Sequence, residues 1–284
     1  MTVAAVDRAL NIIEVLASEP DGLELGMMAD RLSLPLSATH RLLGTLMDHH
    51  FVQRDANTNT FSLTLRMAQL AFRNMDCRQL PDVVQNALNR LAMTTGEYCR
   101  LAVVEADTLV WIARAQGATG GLRYEPDMGA DVVLHTTATG KAWLASLPEH
   151  EAMRIVFAAG FNARLGFGPN AIRDIDTLRA HLDQVRKRGY ALAVEEGEVG
   201  TVALAVPFRS RPDPEAPVVG TLSVAGPIAR IQPDRYADIT AHLHEAAQNV
   251  CEVWTLRNRQ SNRMITASAG SELHPAAHAL GAVG

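Results

Sequence analysis

Apolar residues recur at three- and four-residue steps from Ala4 to Ala17, where Val6, Ala9, Leu10, Ile13, Leu16 and Ala17 share one face. That period predicts an amphipathic helix, which Glu19-Pro20-Asp21-Gly22 ends with turn residues. A short second helix is expected from Leu25 to Leu32, burying Leu25, Met28, Ala29 and Leu32. Ser33-Leu34-Pro35 then forces a turn, because proline disfavours helix at the residue before it. A third helix over Ser37 to His49 places Leu36, Thr39, Leu42, Leu43, Leu46 and Met47 in one sector. Ser37, Arg41, Gly44, Thr45 and Asp48 fall opposite, with His40 at the edge. This opposite flank is small and polar, the shape a helix needs to lie deep in a groove. Phe51 to Arg54 and Thr60 to Leu63 are β-like runs around Asp55-Ala56-Asn57-Thr58-Asn59, so they predict a hairpin. Three helices and a hairpin follow the order of a winged helix–turn–helix. Thr64 to about Asn74 is helical again, with a broad apolar surface that suits either a linker meeting a partner helix or packing on its own domain. Gln79-Leu80-Pro81-Asp82 marks a boundary.

Beyond it the pattern mixes helices and strands. Val83 to Thr95 predicts a helix stopped by Gly96, and Tyr98 to Glu105 and Leu109 to Ala113 predict strands. Ala138 to Leu147 and Glu149 to Ala158 are expected as helices parted by Pro148, and Ile175 to Arg188 as a helix ended by Gly189. Tyr190 to Glu195, Val202 to Val206 and Val218 to Ala225 predict further strands, and Pro233 to about Asn258 a long helix. Strands with helices covering one side imply an α+β sensor domain. From Arg259 onward the period gives way to Ala, Ser, Gly and His, and disorder is expected. The expected organisation is a winged helix–turn–helix domain over 1–63, a linker and dimerisation helix over 64–80, an effector-binding domain over 81–258 and a tail over 259–284.

The length of 284 residues suits two domains, and 48% hydrophobic with 20% charged residues is ordinary for a soluble protein. No apolar run approaches the roughly 20 residues of a membrane span. Met1 to Leu16 lacks a signal-peptide layout, so a cytoplasmic protein is expected. The net charge of −5 changes the picture more. The first 75 residues hold six arginines and no lysine against eight acidic residues. Contact with DNA therefore has to come from local placement rather than from a basic domain. Cys77, Cys99 and Cys251 give neither a disulfide framework nor metal spacing and are expected as isolated thiols. No nucleophile elbow, zinc-protease helix motif, phosphate loop or dinucleotide fingerprint is present, so no catalytic residue, metal or cofactor is assigned. Glu195-Glu196 is no catalytic pair, since neighbours on a strand point to opposite faces; hydrogen bonding is the expected role. His135 is expected to be packed, and His49-His50 lacks the four-residue spacing of a helical metal pair.

Several segments resemble, in order, the IclR family of transcriptional regulators. They are Val6 to Ile13, Ser37 to Leu43, Gln53-Arg54-Asp55 and Phe61-Ser62-Leu63, then Leu134 to Ala142, Arg188-Gly189-Tyr190, Glu195-Glu196, Val202 to Pro207 and Ser223 to Pro227. The resemblance implies a winged-helix domain, a linker helix and a GAF-like α/β effector-binding domain. It also implies homodimers or homotetramers on palindromic double-stranded DNA operators. Carried over by position, Ser37, His40, Arg41 and Thr45 read or clamp DNA from the third helix, while Arg54 and Thr58 touch the backbone from the wing. Ser37 is also a candidate helix cap. The implied effector pocket comprises Ala138, Thr139, Gly140, Ala193, Thr201, Ala203, Ser223 and Ala225. Thr139 and Gly140 would offer helix-start N–H groups to a small carboxylic acid, and the small Ala193 and Ala203 would leave room for a bulkier one, aromatic or longer-chain. Trp111 is a further candidate for the pocket wall. The chain departs from the family at His49-His50, where a glycine often precedes Phe51, and at Asn59, the usual wing glycine. Leu36 and Ala38 replace polar or basic residues, and Phe61 the usual tyrosine. The implied function is a ligand-responsive repressor or activator of a catabolic operon. A stand-alone small-molecule binder without DNA activity is the alternative, favoured by the acidic balance.

Overall fold

The computed structural model describes residues 3–78, 81–161 and 167–271; for 75–78, 81–83 and 256–271 it describes the backbone alone. Two units divide the chain, Met1–Leu80 and Pro81–Gly284. The first contains α1 (Ala4–Ala17), β1 (Leu23–Glu24), α2 (Leu25–Arg31), α3 (Leu36–Asp48), β2 (Val52–Arg54), β3 (Thr60–Leu63) and α4 (Arg66–Arg78). Its strands form an antiparallel sheet in the order β1-β3-β2, with Phe61 opposite both Leu23 and Arg54. The two-residue β1 was not expected, because a strand that short carries no period to read.

Ile12, Leu16, Met28, Leu43, Leu46, Val52 and Phe61 make the core of this unit. The expected inner face of α1 needs correction: Ile12 and Leu16 are buried, whereas Val6 and Leu10 are more than half exposed. The apolar stripe of α1 is wider than its contacts with α3 and β3 can cover. Leu36 is also misassigned by its period. It is 56% exposed, because a helical side chain packs over the turn N-terminal to it and the first residue of α3 has no such turn.

A helix end and the wing turn explain two departures from glycine. After α3, the Phe51 N–H donates to Leu46 O and the His50 N–H to Met47 O, both at 2.9 Å, a Schellman closure. His50 therefore sits at φ 62°, in the left-handed region that glycine normally fills. Asn59 occupies φ 58° in the wing, which asparagine tolerates better than most residues. The Asp55 carboxylate accepts from the N–H groups of Asn57 and Thr58, at 2.7 and 3.1 Å, and holds the wing turn closed.

The second unit contains α5 (Pro81–Thr95), β4 (Tyr98–Glu105), β5 (Thr108–Gln116), α6 (Ala138–Ser146), α7 (Glu149–Ala159) and α8 (Ile175–Arg188). It continues with β6 (Ala191–Val194), β7 (Thr201–Arg209), β8 (Val218–Pro227), a 3₁₀ turn (Pro233–Arg235) and α9 (Tyr236–Ser271). The five strands form one antiparallel sheet in the order β5-β4-β8-β7-β6. Helices cover both faces, not one. Helices α6, α7 and α8 bury Ala102, Ala191, Ala193 and Ala205 on one side, while α5 and α9 bury Leu101, Leu204, Leu222 and Val224 on the other. Strands enclosed on both faces lose polar alternation; in β8 every residue from Gly220 to Pro227 is buried.

Helix α8 shows local determinism at both ends. Asp174 caps it by accepting from the Thr177 N–H at 2.8 Å, Gly189 ends it at φ 82°, and Arg186, Lys187 and Arg188 complement the dipole of its last turn. The expected disorder from Arg259 is corrected in part. Backbone helix runs to Ser271, and extension is cheap once a helix is nucleated, with no proline between Pro233 and Pro275. Residues 272–284 lie outside the described residues.

Candidate functional site

Two places gather the residues singled out above, one in each unit. In the first, α3 turns Thr39, Leu43 and Leu46 into the core and leaves Ser37, His40, Arg41 and Thr45 exposed. Ser37 is not the helix cap. Helix α3 begins one residue earlier, with Pro35 at its N-cap and no side-chain capping bond, so the Ser37 hydroxyl is free of that task. Gly44, on the same flank, has nothing within 4 Å of where a Cβ would stand, so the backbone there is open to close approach. In the wing, Arg54 donates to Asn59 Oδ1 at 2.8 Å and lies 5.6 Å from the centre of the Phe61 ring. Thr58 is exposed, its hydroxyl 2.8 Å from that of Thr60. The flank carries His40 and Arg41 with no carboxylate of its own until Asp48.

In the second unit a cavity of about 50 Å³ opens between the sheet and the start of α6. Ala138, Thr139, Ala193, Thr201, Ala203, Ser223 and Ala225, all named from the sequence, line it together. Gly140 is the exception. Its N–H donates to Thr137 Oγ1 at 3.0 Å, the N-cap of α6, so it has no donor to spare. Its missing side chain has a packing cause: a Cβ would stand 2.3 Å from Leu134 Cα and O. Glycine lets α6 press against the segment before it, and every residue from Ala138 to Ala145 is buried.

The cavity is also lined by residues that the sequence did not assign to it: Arg100, Tyr124, Thr136 and the Glu196-Gly197-Glu198 turn, of which only Glu196 had been singled out, for hydrogen bonding. Trp111 does not line it but lies behind Arg100, its ring centre 3.7 Å from the guanidinium carbon. A register shift between Leu101 and Ala102 pairs Ala102 with Trp111, leaving Ile112 as the extra residue. That bulge brings Trp111 onto the cavity face of the sheet. The only sequence signal for Arg100 is one cation inside the apolar run Tyr98 to Val104.

Beneath the cavity, Lys141 is wholly buried and its Nζ stands 2.6 Å from both oxygens of Glu196 and 2.7 Å from Leu192 O. Burial pulls the lysine down and pushes the Glu196 carboxyl up; the ion pair opposes both shifts. Glu195 turns the chain at φ 50° and accepts the Gly200 N–H at 2.9 Å. Both glutamates thus have hydrogen-bonding roles, in a turn whose Glu196, Gly197 and Glu198 line the cavity. His135 is packed against Phe161 and Phe167, at ring separations of 4.8 and 6.1 Å, and burial lowers its pKa. Burial pushes the Cys99 thiol up to about 12, which marks it as inert packing. The side chain of Cys77 lies outside the described residues. Among the described residues no group of three or more His, Cys, Asp or Glu is placed to hold a metal, and no helix is long and apolar enough to cross a membrane.

Comparison with known proteins adds independent evidence. Residues 5–56 match the model of the IclR helix-turn-helix domain, and residues 72–252 match that of the bacterial transcriptional regulator IclR C-terminal domain. The chain is 27% identical over 246 residues to the HTH-type transcriptional repressor AllR of Klebsiella pneumoniae, covering 87% of this chain and 88% of that protein. The crystal structure of a regulator from Alicyclobacillus acidocaldarius superposes with a TM-score of 0.74 at 26% identity, covering 90% of this chain and all of the other. The inducer-binding domain of PobR from Acinetobacter, a double mutant in complex with 3-hydroxybenzoic acid, matches 61% of this chain and 98% of its own. Its TM-score is 0.53, at 27% identity.

Proposed function

The chain belongs to the IclR family of bacterial transcriptional regulators, and from that premise we propose that it switches a catabolic operon in response to a small carboxylic acid. Members of this family bind DNA and are not enzymes. The observation that carries the proposal is the exposed flank of α3. Ser37, His40, Arg41 and Thr45 stand clear of the core while the opposite side is locked into it. Arg41 would pair with guanine or phosphate, and Arg54 and Thr58 would track the backbone beside it. Local placement of this kind compensates for an acidic chain, because a few arginines in the groove set both register and sequence preference.

The working protein is proposed to be a cytoplasmic homodimer, or a pair of dimers, on a palindromic operator. Val6 and Leu10 on α1 form an exposed apolar stripe with Val3 just before it, and Met67 and Phe72 are exposed on α4. Apolar surface of that extent on one small unit fits a second copy of the chain. The cavity beside α6 is the proposed effector site. An acid there acts by favouring one quaternary arrangement over another, since a ligand shifts an equilibrium only by its differential affinity. A hydroxybenzoate bound to the PobR domain supports an aromatic acid as one candidate class.

A gel-shift on the DNA flanking the protein's own gene tests the proposal, with and without a panel of carboxylic acids. Expected are a retarded band that weakens steeply with salt, as released counterions require, and a change in that band with one acid. Arg41→Ala should lose specific retention at unchanged thermal stability. No retention of any flanking fragment at low salt would favour a stand-alone small-molecule binder instead.

A further inference from the structure

We propose that Arg100 anchors the effector's carboxylate, and that the site selects an acid with a single negative charge. The proposal deepens the effector reading above by naming the group that recognises the charge.

The face of the sheet under α6 is paved with small residues. Arg100 pairs with Ser223, Ser223 with Ala205 and Ala205 with Ala191; the next row runs Tyr98, Ala225, Ala203 and Ala193. Arg100 is the one charged residue in these two rows, and it lines the cavity. Its Nε is sealed from solvent without a hydrogen-bond partner, and among the described residues no carboxylate pairs with it at contact distance; Glu198 acts on it only from farther off. It is held instead by aromatic rings, 3.7 Å from the centre of Trp111 and 5.8 Å from that of Tyr98. A guanidinium keeps its charge under such burial, so the desolvation cost stands until an anion meets it in a bidentate pair. A second unfilled function faces the same space. Thr136 is 1% exposed, lines the cavity, and its hydroxyl has no partner. The start of α6 offers less, since the Gly140 N–H is committed to Thr137.

The surrounding charges limit what enters. Glu196 is neutralised by Lys141, but Glu198 lines the cavity as an exposed carboxylate without an ion pair to Arg100. Desolvation and Glu198 together push the Tyr124 hydroxyl up to about 12, so it stays neutral. Among the described residues lining the cavity, Arg100 is a cation without a contact ion pair and Glu198 adds one negative charge at the opening, which suits a monocarboxylate. A dicarboxylate or phosphate would place its second charge against Glu198.

At a pH of about 8.5, where succinate and inorganic phosphate are both dianions, the full-length protein should be titrated calorimetrically with benzoate, 4-hydroxybenzoate and pyruvate, with the corresponding neutral amides, and with succinate and inorganic phosphate. Expected is binding of at least one monocarboxylate, with its amide and the two dianions weaker by about 10- to 100-fold, the worth of a charge-assisted pair. Arg100→Gln should lose the same factor and Arg100→Lys part of it, with unliganded melting temperature checking that each variant folds. The acid–amide comparison needs no variant and decides the matter if Arg100→Gln does not fold. Equal binding of acid and amide, or undiminished acid binding by folded Arg100→Gln, overturns Arg100 as anchor and leaves the small-acid effector standing. Binding of succinate or phosphate as tight as the best monocarboxylate overturns the single-charge selection. No binding of any acid by the wild type overturns both the anchor and the small-acid effector.

Discussion

Replacing Lys141 by methionine removes the cation from a pair that is almost wholly enclosed, at 0% and 5% side-chain exposure. At 2.6 Å and an effective dielectric of about 20, the attraction amounts to about 6 kcal/mol. Much of it offsets the desolvation of two ions, so the intact pair adds little net stability. Breaking it is different: an unpaired buried carboxylate costs about 3–5 kcal/mol, a large part of the 5–15 kcal/mol typical of a domain. Urea unfolding followed by tryptophan emission measures this, because Trp111, Trp143 and Trp254 all lie in the second unit. Lys141→Met should lower the midpoint strongly, and Lys141→Met with Glu196→Met should recover most of the loss. The pH dependence has a definite sign. Burial already raises the Glu196 carboxyl, and without the lysine that shift grows. A group whose folded pKa exceeds its unfolded value loses stability as pH rises through the interval. The deficit of the single variant should therefore shrink between pH 8 and pH 5.5. A single-variant cost below about 1 kcal/mol, or a double variant no more stable than Lys141→Met alone, would refute the buried-pair argument.

His50→Gly should stabilise the first unit by about 0.5–1 kcal/mol, because glycine adopts the left-handed backbone without a Cβ penalty; circular-dichroism melts would register it. Gly140→Ala should destabilise the second unit by at least about 1–3 kcal/mol through overpacking against the Leu134 backbone, and the tryptophan-monitored midpoint reads it. Burial depresses His135 and His181, so their stabilising effect is complete above the unfolded value near 6.5 and falls away as pH drops below it. Melting temperature should fall from pH 7 to pH 5.5, and less in His135→Phe, where ring packing remains without the proton.

The sequence made legible what rests on period and punctuation. Helix α8 is bounded by Asp174 and Gly189, and β4 and α6 were placed by runs with one clear period or stop. The positions carried over to the cavity come together because the resemblance fixes strand order, which spacing alone does not. Illegible were features that depend on the other side of a contact. Arg100 looks like a stray cation in an apolar strand until the register sets it beside Ser223 and the bulge sets Trp111 behind it. The second helical layer was missed although β7 and β8 lack alternation, a sign of burial on both faces. His50 and Asn59 looked like losses of glycine; the helix end and wing keep the same backbone conformation with other residues.

The claim on which the rest depends is that α3 enters duplex DNA, and footprinting of the full-length protein on the DNA upstream of its own gene tests it most directly. Two protected half-sites centred about 34–36 Å apart, present with wild type and absent with Arg41→Ala, are the predicted result. Uniform cleavage along every upstream fragment at low salt, or the same protection from the Arg41→Ala protein, would contradict it.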